Sequence, residues 1–203
     1  MSTLKAYSIV LLPDAKTSIR LIGLSQDISH EKPCYFSLGD EVNIPHLSLY
    51  MLQLEDHDAP NVVSSLQRIA DDTNALSLQA LRFRTSCGYF EIEYTNTVEG
   101  RGLQVAVIDA ANEYRVGILP SDEFIMAVAS GDKLTNFESF GYAYVGKLFR
   151  PHITLTRFVN SNISDPENMP ELKNYDSKFI GLALCKLGDN GTCSEIVCSI
   201  RLQ

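Results

Sequence analysis

Pro45-His46-Leu47-Ser48-Leu49 recurs later in the chain as Pro151-His152-Ile153-Thr154-Leu155, and these two copies decide how the rest of the sequence reads. With four histidines and 29 serines and threonines among 203 residues, chance supplies roughly 0.6 His-x-Ser/Thr triplets. The shared proline in front and the apolar residues at matching places make the repeat selective. Each copy lies in a run of strand formers, HLSLYMLQL from 46 to 54 and FRPHITLTRFV from 149 to 159. Side chains alternate along a strand, so His46 and Ser48 project from one face while Leu47 and Leu49 face a core. His152 and Thr154 do the same against Ile153 and Leu155. An apolar anchor thus holds an imidazole beside a hydroxyl, twice.

Working outward, AYSIVLL from Ala6 to Leu12 reads as an early strand closed by Pro13-Asp14, and Asp14 is placed to cap a helix with Ile19, Ile22 and Leu24 on its apolar side. The polar stretch holding Pro33 and Gly39, up to Pro45, reads as loop. Asp58-Ala59-Pro60 announces a helix through Asp71, with proline in its tolerated first turn. Leu78 to Thr85 and Tyr89 to Tyr94 read as a hairpin around Cys87-Gly88. After Gly100-Arg101-Gly102, the spacing of Leu103, Val107, Ala110 and Tyr114 predicts a third helix, and Glu123 to Ala129 a short fourth. Ser161 to Asn174 reads as loop. Phe179 to Leu187 and Glu195 to Leu202 flank Gly188-Asp189-Asn190-Gly191, whose Asn-Gly pair signals a closing hairpin. The order predicts an α+β chain of one domain, 1–203, in two lobes that each supply one central strand.

Composition narrows the class. Apolar residues make up 45% and charged residues 21%, ordinary values for a globular domain. A net charge of −8 disfavours a DNA duplex or any long polyanion, whose binding draws on many Lys and Arg contacts, while a small nucleotide or an RNA end needs only local cations. Without a long apolar run or a secretory start, the expectation is a cytoplasmic monomer with no membrane partner. Five cysteines with no C-x-x-C pair read as reduced and mostly packed. His30 and His57, which lack the tripeptide, read as exposed.

Two imidazoles and two hydroxyls facing one another suit phosphodiester cleavage, in which water loses a proton while a ribose oxygen gains one. With an ordinary pKa of about 6.5, histidine serves in either role near neutral pH. Ser48 and Thr154 would donate to the non-bridging oxygens, where charge builds. No metal or other cofactor is required, and no Asp, Glu or Cys falls at a familiar ligand spacing around the pair. A lone histidine at a strand start is ordinarily just packed; the repetition is what argues otherwise. A non-catalytic module that binds nucleotides or RNA ends in the same groove, and a purely structural protein, are the rival readings.

At these residues the chain resembles the 2H phosphoesterase superfamily, and within it the RNA 2′,3′-cyclic phosphodiesterase / 2′-5′ RNA ligase-like branch. The resemblance implies a bilobal, pseudo-symmetric α+β fold, two antiparallel sheets flanking a central cleft with helices outside, and metal-independent hydrolysis or ligation at cyclic or 2′-linked phosphates. It further implies that His46 donates a proton to the leaving oxygen, that His152 activates water, and that Ser48 and Thr154 bind phosphate. Arg157 stands where related proteins often carry a basic residue. Lying five residues after His152, it faces the other side of an ideal strand, so a phosphate role requires a bulge or a strand end. Tyr50, on the strand face of His46 and Ser48, is a candidate to stack on a base, as are Tyr89 and Phe149.

Overall fold

The computed structural model describes residues 3–166 and 169–203. Among these residues nine strands form two antiparallel sheets. In the first, β1 (Leu4–Pro13) runs between β3 (Leu47–Glu55) and β8 (Ser177–Leu187), and the far edge of β8 is shared end to end by β4 (Leu76–Leu78) and β9 (Cys193–Arg201). In the second, the order is β2 (Cys34–Ser37), β7 (His152–Phe158), β6 (Tyr89–Tyr94) and β5 (Ala80–Ser86). β3 and β7, the two strands of the repeat, approach each other between the sheets. Apolar residues of both sheets and their helices join in one core that includes Leu47, Leu49, Ile153 and Leu155.

Helix α1 (Ala15–Glu31) packs on β7 and β2, whereas α2 (Ala59–Asp71) packs on β8 and β9 and α3 (Val98–Ala111) on β3. Asp14 caps α1 by accepting from the Thr17 N–H at 2.7 Å. The short α4 (Glu123–Ala127) precedes α5 (Gly131–Phe140), which ends in a left-handed Gly141. The β5–β6 hairpin turns on Cys87 and Gly88, both at positive φ (51° and 83°), the twist that a two-residue hairpin loop requires.

Several expectations need correction. The buried stripe of α1 is Thr17, Leu21, Leu24, Ser25 and Ile28, which leaves Ile19 on the opposite, exposed side. The stretch expected as loop after Glu31 contains β2, which gains its order from pairing with β7 rather than from any local pattern. α3 begins before its glycines, because the Thr97 side chain accepts from the Gly100 N–H and starts the helix at Val98. α5 was not expected. Of the loop expected from Ser161 to Asn174, residues 167 and 168 lie outside the described residues, and a 3-10 turn at Leu172–Tyr175 closes it. All five cysteines are free. Among the described residues, no helix is long and apolar enough to cross a membrane.

Candidate active site

Each copy of the repeat fixes its imidazole in the same way. His46 Nδ1 lies 2.7 Å from the carbonyl oxygen of Ile44, and His152 Nδ1 lies 2.7 Å from that of Arg150. A carbonyl can only accept, so Nδ1 carries the hydrogen in both rings and Nε2 is left for chemistry. The residue between ring and carbonyl is the repeated proline, Pro45 or Pro151, whose fixed φ holds the carbonyl in the same place relative to both rings.

The two strands then depart from simple alternation at matching points. On β3, Tyr50 pairs with Ile9 and Ser48 with Val10, so Leu49 is an extra residue. On β7, Thr156 pairs with Phe90 and Thr154 with Glu91, so Leu155 is extra. Each is a β-bulge that turns two successive residues inward and resets the parity beyond it. The carbonyls concerned are both met by a buried polar side chain from a helix: Gln104 Nε2 of α3 donates to Leu49 at 3.0 Å, and Ser25 Oγ of α1 donates to Leu155 at 2.6 Å. These partners explain why Gln104 and Ser25 are buried at 1% and 0% exposure.

The bulges correct two expectations at once. Tyr50 does not share the face of His46 and Ser48; it is fully buried, with its hydroxyl 2.7 Å from the Phe140 carbonyl and 2.8 Å from Asn112 Oδ1, and cannot stack on a base. Burial pushes its pKa up. Arg157, by contrast, is half-buried in line with His152 and Thr154, meeting the requirement of a bulge. Its guanidinium lies 4.7 Å from the Tyr89 ring centre and 5.3 Å from that of the exposed Tyr35, and donates to Asn190 Oδ1 at 2.7 Å. Phe149 is a core residue, buried at 4% exposure, and is likewise removed as a stacking candidate. Ser48 accepts from Ser8 Oγ at 3.3 Å, which leaves its own hydrogen to donate.

The turn between β8 and β9 joins the halves. Asn190 holds Arg157, and the Gly191 carbonyl reaches His46. Both imidazoles are held below the ordinary histidine value, chiefly by burial. For His46 the Ile44 and Gly191 carbonyls pull the other way, while the His152 ring adds to the lowering, so the two rings are within electrostatic reach of each other. For His152 the opposing pull comes first from Glu91 and then from the Arg150 carbonyl.

Glu91 and Arg150 were not singled out in the sequence. Glu91 stands across from Thr154 on β6, its side chain 4% exposed, and its Oε2 lies 3.5 Å from His152 Nε2. Arg150 grips both carboxylate oxygens, one of them at 3.2 Å, and Arg84 Nε stands 4.0 Å away. Glu93, across from His152, is bound by Arg82 at 2.5 Å. Three arginines therefore answer the two glutamates beside His152. The available signal was the glutamate alternation in Tyr89-Phe90-Glu91-Ile92-Glu93, two charges on a strand with a core face, which demanded partners.

Other features lie apart from the pair. A recess of about 440 Å³ lined by Ser130, Asp132, Lys133, Tyr144, Leu148 and Arg150 touches the site only through Arg150. Among the described residues, Glu55, His57 and Asp58 form a group with metal-ligand spacing, and it includes neither His46 nor His152. His30 and His57 are exposed.

No protein-family model and no curated protein matches the sequence. Solved structures do. The chain is similar to E. coli LigT in its apo form, with a TM-score of 0.62 and 14% identity over 100% of this chain and 99% of that one. E. coli LigT complexed with 3′-AMP gives 0.64 and 12% over 99% of both chains. TT0787 of Thermus thermophilus gives 0.62 and 15% over 97% of both. The chain therefore has the fold of these proteins along its whole described length.

Proposed function

We propose that this chain is a member of the 2H phosphoesterase superfamily, a phosphodiesterase that hydrolyses nucleoside or RNA-terminal 2′,3′-cyclic phosphates, or 2′-5′ phosphodiesters, with His46 and His152 as its acid–base pair. The observation that carries this is the twice-built ring: each Nδ1 is tied to the carbonyl two residues back, so two Nε2 atoms of fixed tautomer serve one substrate. One ring takes the proton of the attacking water and the other supplies a proton to the departing ribose oxygen. Ser48 and Thr154, each two residues past its histidine, donate to the non-bridging oxygens as charge builds there. Arg157, stacked between Tyr35 and Tyr89, offers a cation to a flanking phosphate, and the two rings offer faces to a base. Because both motifs lie on one chain, a monomer contains the complete site. The solved complex of E. coli LigT with 3′-AMP supports a small nucleotide as ligand of this fold.

The test is turnover of a panel of 2′,3′-cyclic nucleotides and 2′-5′ and 3′-5′ dinucleotides with and without EDTA. Activity on a cyclic or 2′-5′ substrate survives the chelator, and His46→Ala and His152→Ala each lose about 10²–10⁴-fold. Full activity in either variant, or calorimetric binding of nucleotide without any product from the wild type, rejects the proposal and in the second case favours a binding module.

A further inference from the structure

We infer that Glu91, clamped by Arg150, is a positioning residue that keeps the exchangeable proton on His152 Nε2, making His152 the acid and His46 the base. This rests on the phosphodiesterase reading above and reverses the roles that the family resemblance implies. Glu91 Oε2 stands 3.5 Å from His152 Nε2, the ring nitrogen left free by the Arg150 carbonyl. That is too long for a hydrogen bond, so the carboxylate stabilises an N–H at Nε2 without tying it up. With its side chain 4% exposed, the carboxylate acts through a medium that screens it poorly.

The charges around His152 are Glu91 and Glu93 from β6, Arg150 from the segment before β7, Arg84 behind Glu91, and His46 from the facing motif. Arg150 opposes the carboxylates, yet its effect on the ring is smaller than that of Glu91. Among the described residues, the groups that favour the charged form of His46 are the neutral carbonyls of Ile44 and Gly191. Glu91 thus favours the charged ring at His152, and it is there that we place the proton shared by the pair.

The step balances on that assignment. The water oxygen forms a bond to phosphorus as its proton passes to His46 Nε2. The bond from phosphorus to the ribose oxygen breaks, its electron pair stays with that oxygen, and the oxygen takes the proton from His152 Nε2. Exchange with solvent then returns a proton to His152 and removes one from His46.

Three measurements test this. On a nucleoside phosphodiester with a p-nitrophenolate leaving group, which departs without protonation, His152→Ala recovers most of the about 10²–10⁴-fold it loses on a ribose leaving group, while His46→Ala remains impaired on both. The opposite pattern overturns the assignment, and no Glu91 variant is needed. In the pH profile of kcat/KM, Glu91→Gln moves the alkaline limb toward acid and leaves the acidic limb in place, whereas Glu91→Asp, which keeps the charge, preserves the wild-type profile. Movement of the acidic limb instead makes His152 the base and sinks the inference. Histidine NMR titration of the free protein gives a readout without turnover: His152 titrates above His46, and Glu91→Gln lowers only His152. That NMR result in a protein that cleaves nothing rejects the phosphodiesterase reading, while cleavage with His152 unmoved in Glu91→Gln rejects the role of Glu91.

Discussion

Gln104→Leu removes a side chain that braces the bulge on the first motif strand from behind. The wild-type amide is 1% exposed and makes three bonds: Nε2 donates to the Leu49 carbonyl at 3.0 Å and the Tyr144 carbonyl at 2.8 Å, and Oε1 accepts from the Gly146 N–H at 3.2 Å. Leucine fills similar space, so the loss is in polar satisfaction rather than volume. The Leu49 bond is buried, and orphaning that carbonyl costs about 1–3 kcal/mol. The other two bonds are only partly buried, so water replaces them and each costs about 0.5–1.5 kcal/mol. The three together come to ~4 kcal/mol; at about 2–4 °C per kcal/mol for a chain of this size, melting falls by roughly 8–16 °C. Urea unfolding supplies the free energy, and amide exchange along 47–51 locates the loss. A change below ~1 kcal/mol, or exchange that speeds up everywhere except on β3, refutes the claim that Gln104 holds the bulge.

Arg150→Met strands the buried Glu91 carboxylate and costs about 3 kcal/mol, the low end of the usual range because Arg84 still faces it; Glu91→Gln/Arg150→Met restores most of that, and a double variant no better than the single one contradicts the buried-pair account. Asp14→Ala removes the α1 cap at a cost of about 1 kcal/mol at neutral pH. Burial works against the Asp14 carboxylate, but the Thr17 N–H, Arg20 and Lys178 together hold its pKa below the ordinary value; the wild-type advantage is therefore full above the unfolded value of about 3.9 and fades as the pH falls through the folded one, which paired urea melts across the acid range measure. Arg157→Lys keeps the charge but loses the flat stack on Tyr35 and Tyr89 and the reach to Asn190, so KM for a dinucleotide rises several-fold with little change for a cyclic mononucleotide; equal effects on both substrates place Arg157 at the reacting phosphate instead.

How much was legible in the sequence depended on whether the cause was local. Strand formers, the Asp14 cap, Pro60 and the Cys87-Gly88 turn act through their neighbours in the chain, and the elements they announce are present. β2 has no such signal, since four residues of mixed burial become a strand only by lying against β7. The same limit governed the site. Strict alternation placed His46 with Ser48 and His152 with Thr154, but an extra residue in a strand is defined by its partner's register, so Tyr50 was set on the wrong face and Arg157 needed a bulge to reach the right one. Glu91 of β6 meets Arg150 from the segment before β7, and no spacing in the chain brings their numbers together.

The paired bulges also determine which kinds of genetic change these strands can absorb. Exchanging one apolar letter for another leaves the count intact, and drift of that sort can run far. Losing or gaining a single codon between His46 and Met51, or between His152 and Arg157, would turn every side chain downstream to the opposite face and take from Gln104 or Ser25 its partner on the bulge. In these two short windows length is the guarded quantity, and the spelling of the apolar positions is comparatively free.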